Sequence, residues 1–65
     1  MTPEARLLFA LHHVEALVGE DVEVSCALRS AARRCDVDGI TLTLLYEQKL
    51  RARDAARAAL ANEEA

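Results

Sequence analysis

Asp36, Asp38 and Gly39 place three turn-forming residues within four positions, and this break constrains the chain more than any other feature. It separates an apolar repeat that ends at Cys35 from another that begins at Ile40. The two flanking segments must therefore meet across a tight bend instead of continuing as one rod.

Helical spacing holds on both sides of the bend. Near the start, Thr2 can cap, Pro3 suits a first helical position and Glu4 favours the positive end of a helix dipole. Leu7, Leu11, Val14 and Val18 then form one stripe, flanked by Ala10 and Leu17, and Gly19 is expected to stop the helix. This spacing predicts a first helix over residues 3–18. Asp21 is the expected cap of a second helix over 22–35, with Val24, Leu28, Ala31 and Cys35 as its seam and Ala27 and Ala32 beside it. After the bend, residues 40–44 alternate and are β-prone, but no second strand is present to pair with them. A third helix over 40–62 is therefore predicted, with Leu42, Leu45, Lys49, Ala52, Ala56 and Ala59 or Leu60 along its seam. The expected fold is all-α: a single three-helix domain, helix-turn-helix-like, spanning residues 1–65.

Size limits what such a domain can bury. A chain of 65 residues covers only about 60% of the surface it exposes when unfolded. Apolar residues make up 52%, but thirteen are Ala, and Phe9 and Tyr46 are the only aromatics. A core this thin points to a homodimer. Phe9 lies opposite the apolar stripe of its helix, so Phe9, His13, Tyr46 and Leu50 are the candidate dimer contacts. The third helix, at roughly 33 Å, outreaches the others and leaves an overhang that is either solvated or meets another subunit.

Charge and side-chain chemistry narrow the function. The net charge of −3 exerts no long-range pull on nucleic acid or an anionic membrane. Cys26 and Cys35 sit nine apart in one predicted helix, roughly 13 Å along its axis, beyond the reach of a disulfide. Two separate thiols in a reducing compartment fit better, and with no visible signal peptide or spanning segment a cytoplasmic location inside a bacterial host is expected. His12 and His13 are adjacent and point about 100° apart, unlike the i, i+4 ligands of true metal sites. No Cys-x-x-Cys, phosphate loop or catalytic spacing occurs, so neither a cofactor, a metal nor an enzyme is expected. Arg29, Arg33 and Arg34, and the run Lys49, Arg51, Arg53 and Arg57, read first as solvated helix faces.

Counted from Leu28 as the first position, Ala31, Ala32, Cys35, Val37, Leu42 and Leu45 fall at the fourth, fifth, eighth, tenth, fifteenth and eighteenth. These resemble the apolar and small positions of a DNA-binding helix-turn-helix, although Asp36 stands where that motif usually has Gly. Recognition helices present Arg, Lys, Asn or Gln to bases and basic groups to phosphates. Here the outward positions are Asp38, Gly39, Ile40, Thr43, Leu44 and Glu47, and only Thr41, Thr43 and Gln48 are suited to reading bases. An acidic and apolar surface fits another protein better than DNA. The candidate partner-binding residues are Asp38, Ile40, Thr43, Leu44 and Glu47, with Tyr46 and Arg51 at the edge.

The stretch DVDGITLTLLYEQKLRARD, the short length and the preference for Ala, Leu and Arg (seven Arg against one Lys) resemble the small helical regulators encoded by phages of high-GC bacteria. Among these are dimeric anti-activators that block host transcription factors such as quorum-sensing regulators. The resemblance implies capture of a host regulator, with Asp36, Asp38 and Glu47 standing in for phosphate. The expected function is thus a non-enzymatic, protein-binding inhibitor or anti-activator. A small helix-turn-helix DNA-binding regulator and an oligomeric assembly protein are the alternatives.

Overall fold

The computed structural model describes residues 1–64, the side chain of Glu64 excepted. Among these the chain is all-α, with three helices in the order α1 (Pro3–Gly19), α2 (Val24–Cys35) and α3 (Gly39–Glu64). The helix start at Thr2 follows the residue chemistry: its hydroxyl accepts the Ala5 N–H at 3.1 Å, and Pro3 and Glu4 occupy the first turn.

The end of α1 differs from expectation. Gly19 is the last helical residue and does not adopt a positive φ; the left-handed residue is Asp21, at φ 67°. The Val22 N–H donates to the Leu17 carbonyl (3.0 Å) and the Asp21 N–H to the Val18 carbonyl (3.1 Å). This is a Schellman closure with Asp in the place where Gly is favoured. Leu17 and Val22, the apolar pair that accompanies such a closure, both pack against the core. Because Asp21 closes α1, it does not cap α2. Glu23 takes the cap position, but its side chain accepts no capping hydrogen bond; its carboxylate instead accepts the Ser25 hydroxyl at 2.8 Å.

Ala10, Leu11, Val14, Ala27, Ala31, Leu42 and Tyr46 form the core. In α1 they lie on the expected stripe. In α2 the buried line is Ala27 and Ala31, while Leu28 and Cys35 are half-buried and Val24 is exposed, so the seam is rotated from the one expected. The physical reason is size: two Ala side chains let the neighbouring backbone come close, and the larger side chains straddle that line of approach. α1 and α2 make the most extensive pairing of the three helices.

A second left-handed residue ends α2. Asp36 has φ 54° and ψ 54°, and both its N–H and that of Val37 (3.1 Å) donate to the Ala32 carbonyl. Two residues later Asp38 opens α3, its carboxylate accepting the Thr41 N–H at 3.1 Å and the Thr41 hydroxyl at 2.8 Å. Along α3, Leu42 and Tyr46 are buried and Leu45 and Leu50 half-buried, but Lys49 is exposed and paired with Glu15 of α1. Residues 51–63 are all exposed, so the expected seam through Ala52, Ala56 and Ala59 or Leu60 faces solvent. This overhang draws the molecule out to 44 Å in its longest dimension, against 27 and 17 Å in the others. No helix among the described residues is long and apolar enough to cross a membrane.

Candidate functional site

The bend between α2 and α3 creates an open, mainly apolar groove. Leu28, Arg29, Ala32 and Arg33 line it from α2, and Asp38, Ile40, Thr43 and Leu44 line it from the bend and the first turns of α3. Ile40 is 74% exposed and Leu44 55%, so both aliphatic side chains are open to solvent in a chain with little apolar side-chain volume to spare. They are one helical turn apart, as are Leu28 and Ala32 on the opposite side.

Four of the seven residues predicted from sequence for the partner surface, Asp38, Ile40, Thr43 and Leu44, therefore meet in one groove. Glu47 and Arg51 continue the same side of α3 beyond it and pair with each other at 3.6 Å. Sequence spacing had placed Leu28 and Ala32 within an internal seam and Arg29 and Arg33 on a solvated face. The i, i+4 repeats Leu28–Ala32 and Ile40–Leu44 on either side of the turn are the sequence signal of the groove's two apolar walls.

Local hydrogen bonds occupy much of the polar chemistry. The Asp38 carboxyl is held below its ordinary range, first by the Thr41 hydroxyl and then by the Thr41 and Ile40 backbone N–H groups. The Thr43 hydroxyl donates to the Gly39 carbonyl at 2.7 Å. Thus the hydroxyl protons of Thr41 and Thr43 are both committed, to Asp38 before α3 and to Gly39 in its first turn. The Asp36 carboxylate lies 3.7 Å from the Arg6 guanidinium, an exposed pair worth about 0–1 kcal/mol. All three acids suited to mimic phosphate, Asp36, Asp38 and Glu47, therefore have intramolecular partners.

The candidate dimer contacts differ in exposure. Tyr46 is a correction: it is 8% exposed and belongs to the core, because it follows Leu42 by one turn on the buried side of α3. It is for the same reason not at the edge of the partner surface. Tyr46 and half-buried Leu50 border a shallow cleft with Glu15, Val18 and Lys49, which Phe9 does not line. Phe9 itself is 63% exposed and His13 half-buried.

Cys26 is exposed beside Arg29, Ser30 and Arg33, whereas Cys35 is half-buried; both are free thiols. Among the described residues no three His, Cys, Asp or Glu side chains gather as a metal-binding group. In comparisons with known proteins, no family model, no curated protein and no solved structure matches the chain.

Proposed function

We propose that this chain is a non-enzymatic protein-binding regulator, an inhibitor or anti-activator that sequesters another protein such as a transcription factor. The observation that carries the reading is the joint exposure of Ile40 and Leu44 above Leu28 and Ala32. Covering the two aliphatic side chains would contribute roughly 2–4 kcal/mol, enough to anchor a partner but wasted in the free protein. Capture from the native cells by tagged wild type and by Ile40→Asp with Leu44→Asp tests it. A partner retained by wild type and lost by the double variant is expected, and its direct binding is then measured by calorimetry. Identical recovery by both proteins removes the groove from consideration.

A homodimer through the outer side of α1 belongs to the same proposal. Leu8 and Phe9 are both exposed there, and the core is thin enough to gain from a second copy. Sedimentation of wild type as a dimer and of Phe9→Ala as a monomer is the expected result; an intact Phe9→Ala dimer refutes this face.

A second reading, a small helix-turn-helix DNA-binding regulator, has one observation in its favour. Asp36, at the position where that motif usually has Gly, adopts the left-handed conformation that Gly supplies. Against it stand the commitments of Thr41 and Thr43 and the lack of a basic side chain at the start of α3. Strong, salt-sensitive retardation of duplex DNA would favour this reading over the first.

A further inference from the structure

We propose that the groove between α2 and α3 receives an amphipathic helix whose apolar face is bordered on one side by Asp and Glu residues. This rests on the protein-binding reading and adds the chemistry of the partner. Two apolar pairs, Leu28 with Ala32 and Ile40 with Leu44, repeat at one-turn spacing on the two sides of the groove. That repeat matches the i, i+3, i+4 and i+7 anchors of a helix lying in a groove.

The charge of the groove is one-sided. Arg29 and Arg33 stand one turn apart on the α2 side, and among the described residues neither has a carboxylate within ion-pair distance. On the α3 side, Glu47 is paired with Arg51, while Asp38, hydrogen-bonded by Thr41, keeps its negative charge at the opposite lip of the groove and disfavours acids along that border. An incoming helix thus meets two uncompensated guanidinium groups along one edge, and carboxylates are the groups that pair with them in fork geometry. The overall charge of −3 does not reveal this, because no acidic side chain lines the α2 side of the groove. A second copy of this chain is a poorer occupant. Its exposed α3 tail carries Arg53 and Arg57 on the side of Leu60, which would set like charges against Arg29 and Arg33.

The test uses the full chain and two fluorescent synthetic helical peptides of about 16 residues, a length at which an isolated helix begins to hold. Both carry Leu at i, i+4, i+7 and i+11; one has Glu along one border of that stripe and the other Lys. Fluorescence anisotropy is expected to show the Glu peptide binding at least about tenfold more tightly than its Lys twin, with the gap narrowing in salt. Arg29→Glu with Arg33→Glu should invert the preference, and Ile40→Asp with Leu44→Asp should weaken both peptides. Circular dichroism checks that the variants, all altered at exposed positions, remain folded. Equal affinities, no binding of the Glu peptide, or a preference unchanged by the charge reversal overturns the proposal. So does self-association abolished by Leu44→Asp, which assigns the groove to a second copy, or tight binding of duplex DNA there. A cellular partner that needs Ile40 and Leu44 but tolerates the charge reversal sinks the acidic helix and leaves the protein-binding reading standing.

Discussion

The Asp38 carboxylate accepts the backbone N–H of Thr41 at 3.1 Å and its hydroxyl at 2.8 Å, and this pair sets where α3 begins. It also ties the Asp38 carboxylate to Thr41 and keeps it ionised at the lip of the groove. A residue singled out for its surface charge is thereby a helix cap first, which reshapes how acid and mutation should act on the protein.

Acid should weaken the cap. The folded pKa of Asp38 lies below its ordinary value of 3.8, so the unfolded chain takes up the proton first as pH falls. The stabilisation is present above that ordinary value and is lost as pH drops through the lowered folded value. Asp38→Asn keeps a capping oxygen and should flatten this acid dependence, while Asp38→Ala should melt several degrees lower even at neutral pH. Thermal melts across the acid range decide it; parallel profiles for wild type and Asp38→Asn would count against the assignment.

Leu42 has no exposed surface and joins α3 to the core, so Leu42→Ala should cost about 2–5 kcal/mol. Single cores of this size supply about 3–5 kcal/mol in total, and the variant should be largely unfolded at room temperature. Urea denaturation followed by circular dichroism gives the answer, and a loss below about 1 kcal/mol would show that α3 is held by something other than this contact.

The α1 terminus yields a pair of opposed expectations. If Gly19 were the left-handed terminator, Gly19→Ala would destabilise. Its φ is not positive and a Cβ there meets nothing within 4 Å, so Gly19→Ala should instead stabilise by about 0.5–1 kcal/mol. Asp21→Gly, which relieves a left-handed non-glycine residue, should add about 1 kcal/mol. Denaturant midpoints of the two variants measure both effects.

Removal of the overhang by ending the chain after Arg53 should reduce the helical signal without shifting unfolding by more than about 0.5 kcal/mol, since residues 51–63 are exposed throughout. A larger drop, growing with protein concentration, would reveal that this tail is packed against another copy.

Much of the fold was legible because it depends on local chemistry. Thr2 and Pro3 open α1, the Leu11–Val14 stripe faces inward, and the break at Asp36 to Gly39 separates α2 from α3, all readable from neighbours along the chain. The groove was half legible. Ile40 and Leu44 stood out as aliphatic side chains opposite the seam, but Leu28, Arg29, Ala32 and Arg33 gained their place only when α2 and the start of α3 were set side by side. Tyr46 illustrates the limit in the other direction. Its position beside Leu45 left two adjacent faces of α3 open, about 100° apart, and spacing along one helix does not say which of them the other helices cover.

The residues alone thus determined three helices, the Thr2 cap and one turn, because propensity, periodicity and hydrogen bonds within a few positions suffice for these. Tertiary structure decided the rotation of each helix about its axis. Close approach at Ala27 and Ala31 turned the larger α2 side chains outward, buried Tyr46 beneath α1, and left Arg29 and Arg33 bordering Ile40 and Leu44. Rotation depends on the shapes of all three surfaces packing at once, and no single stretch of sequence carries that information.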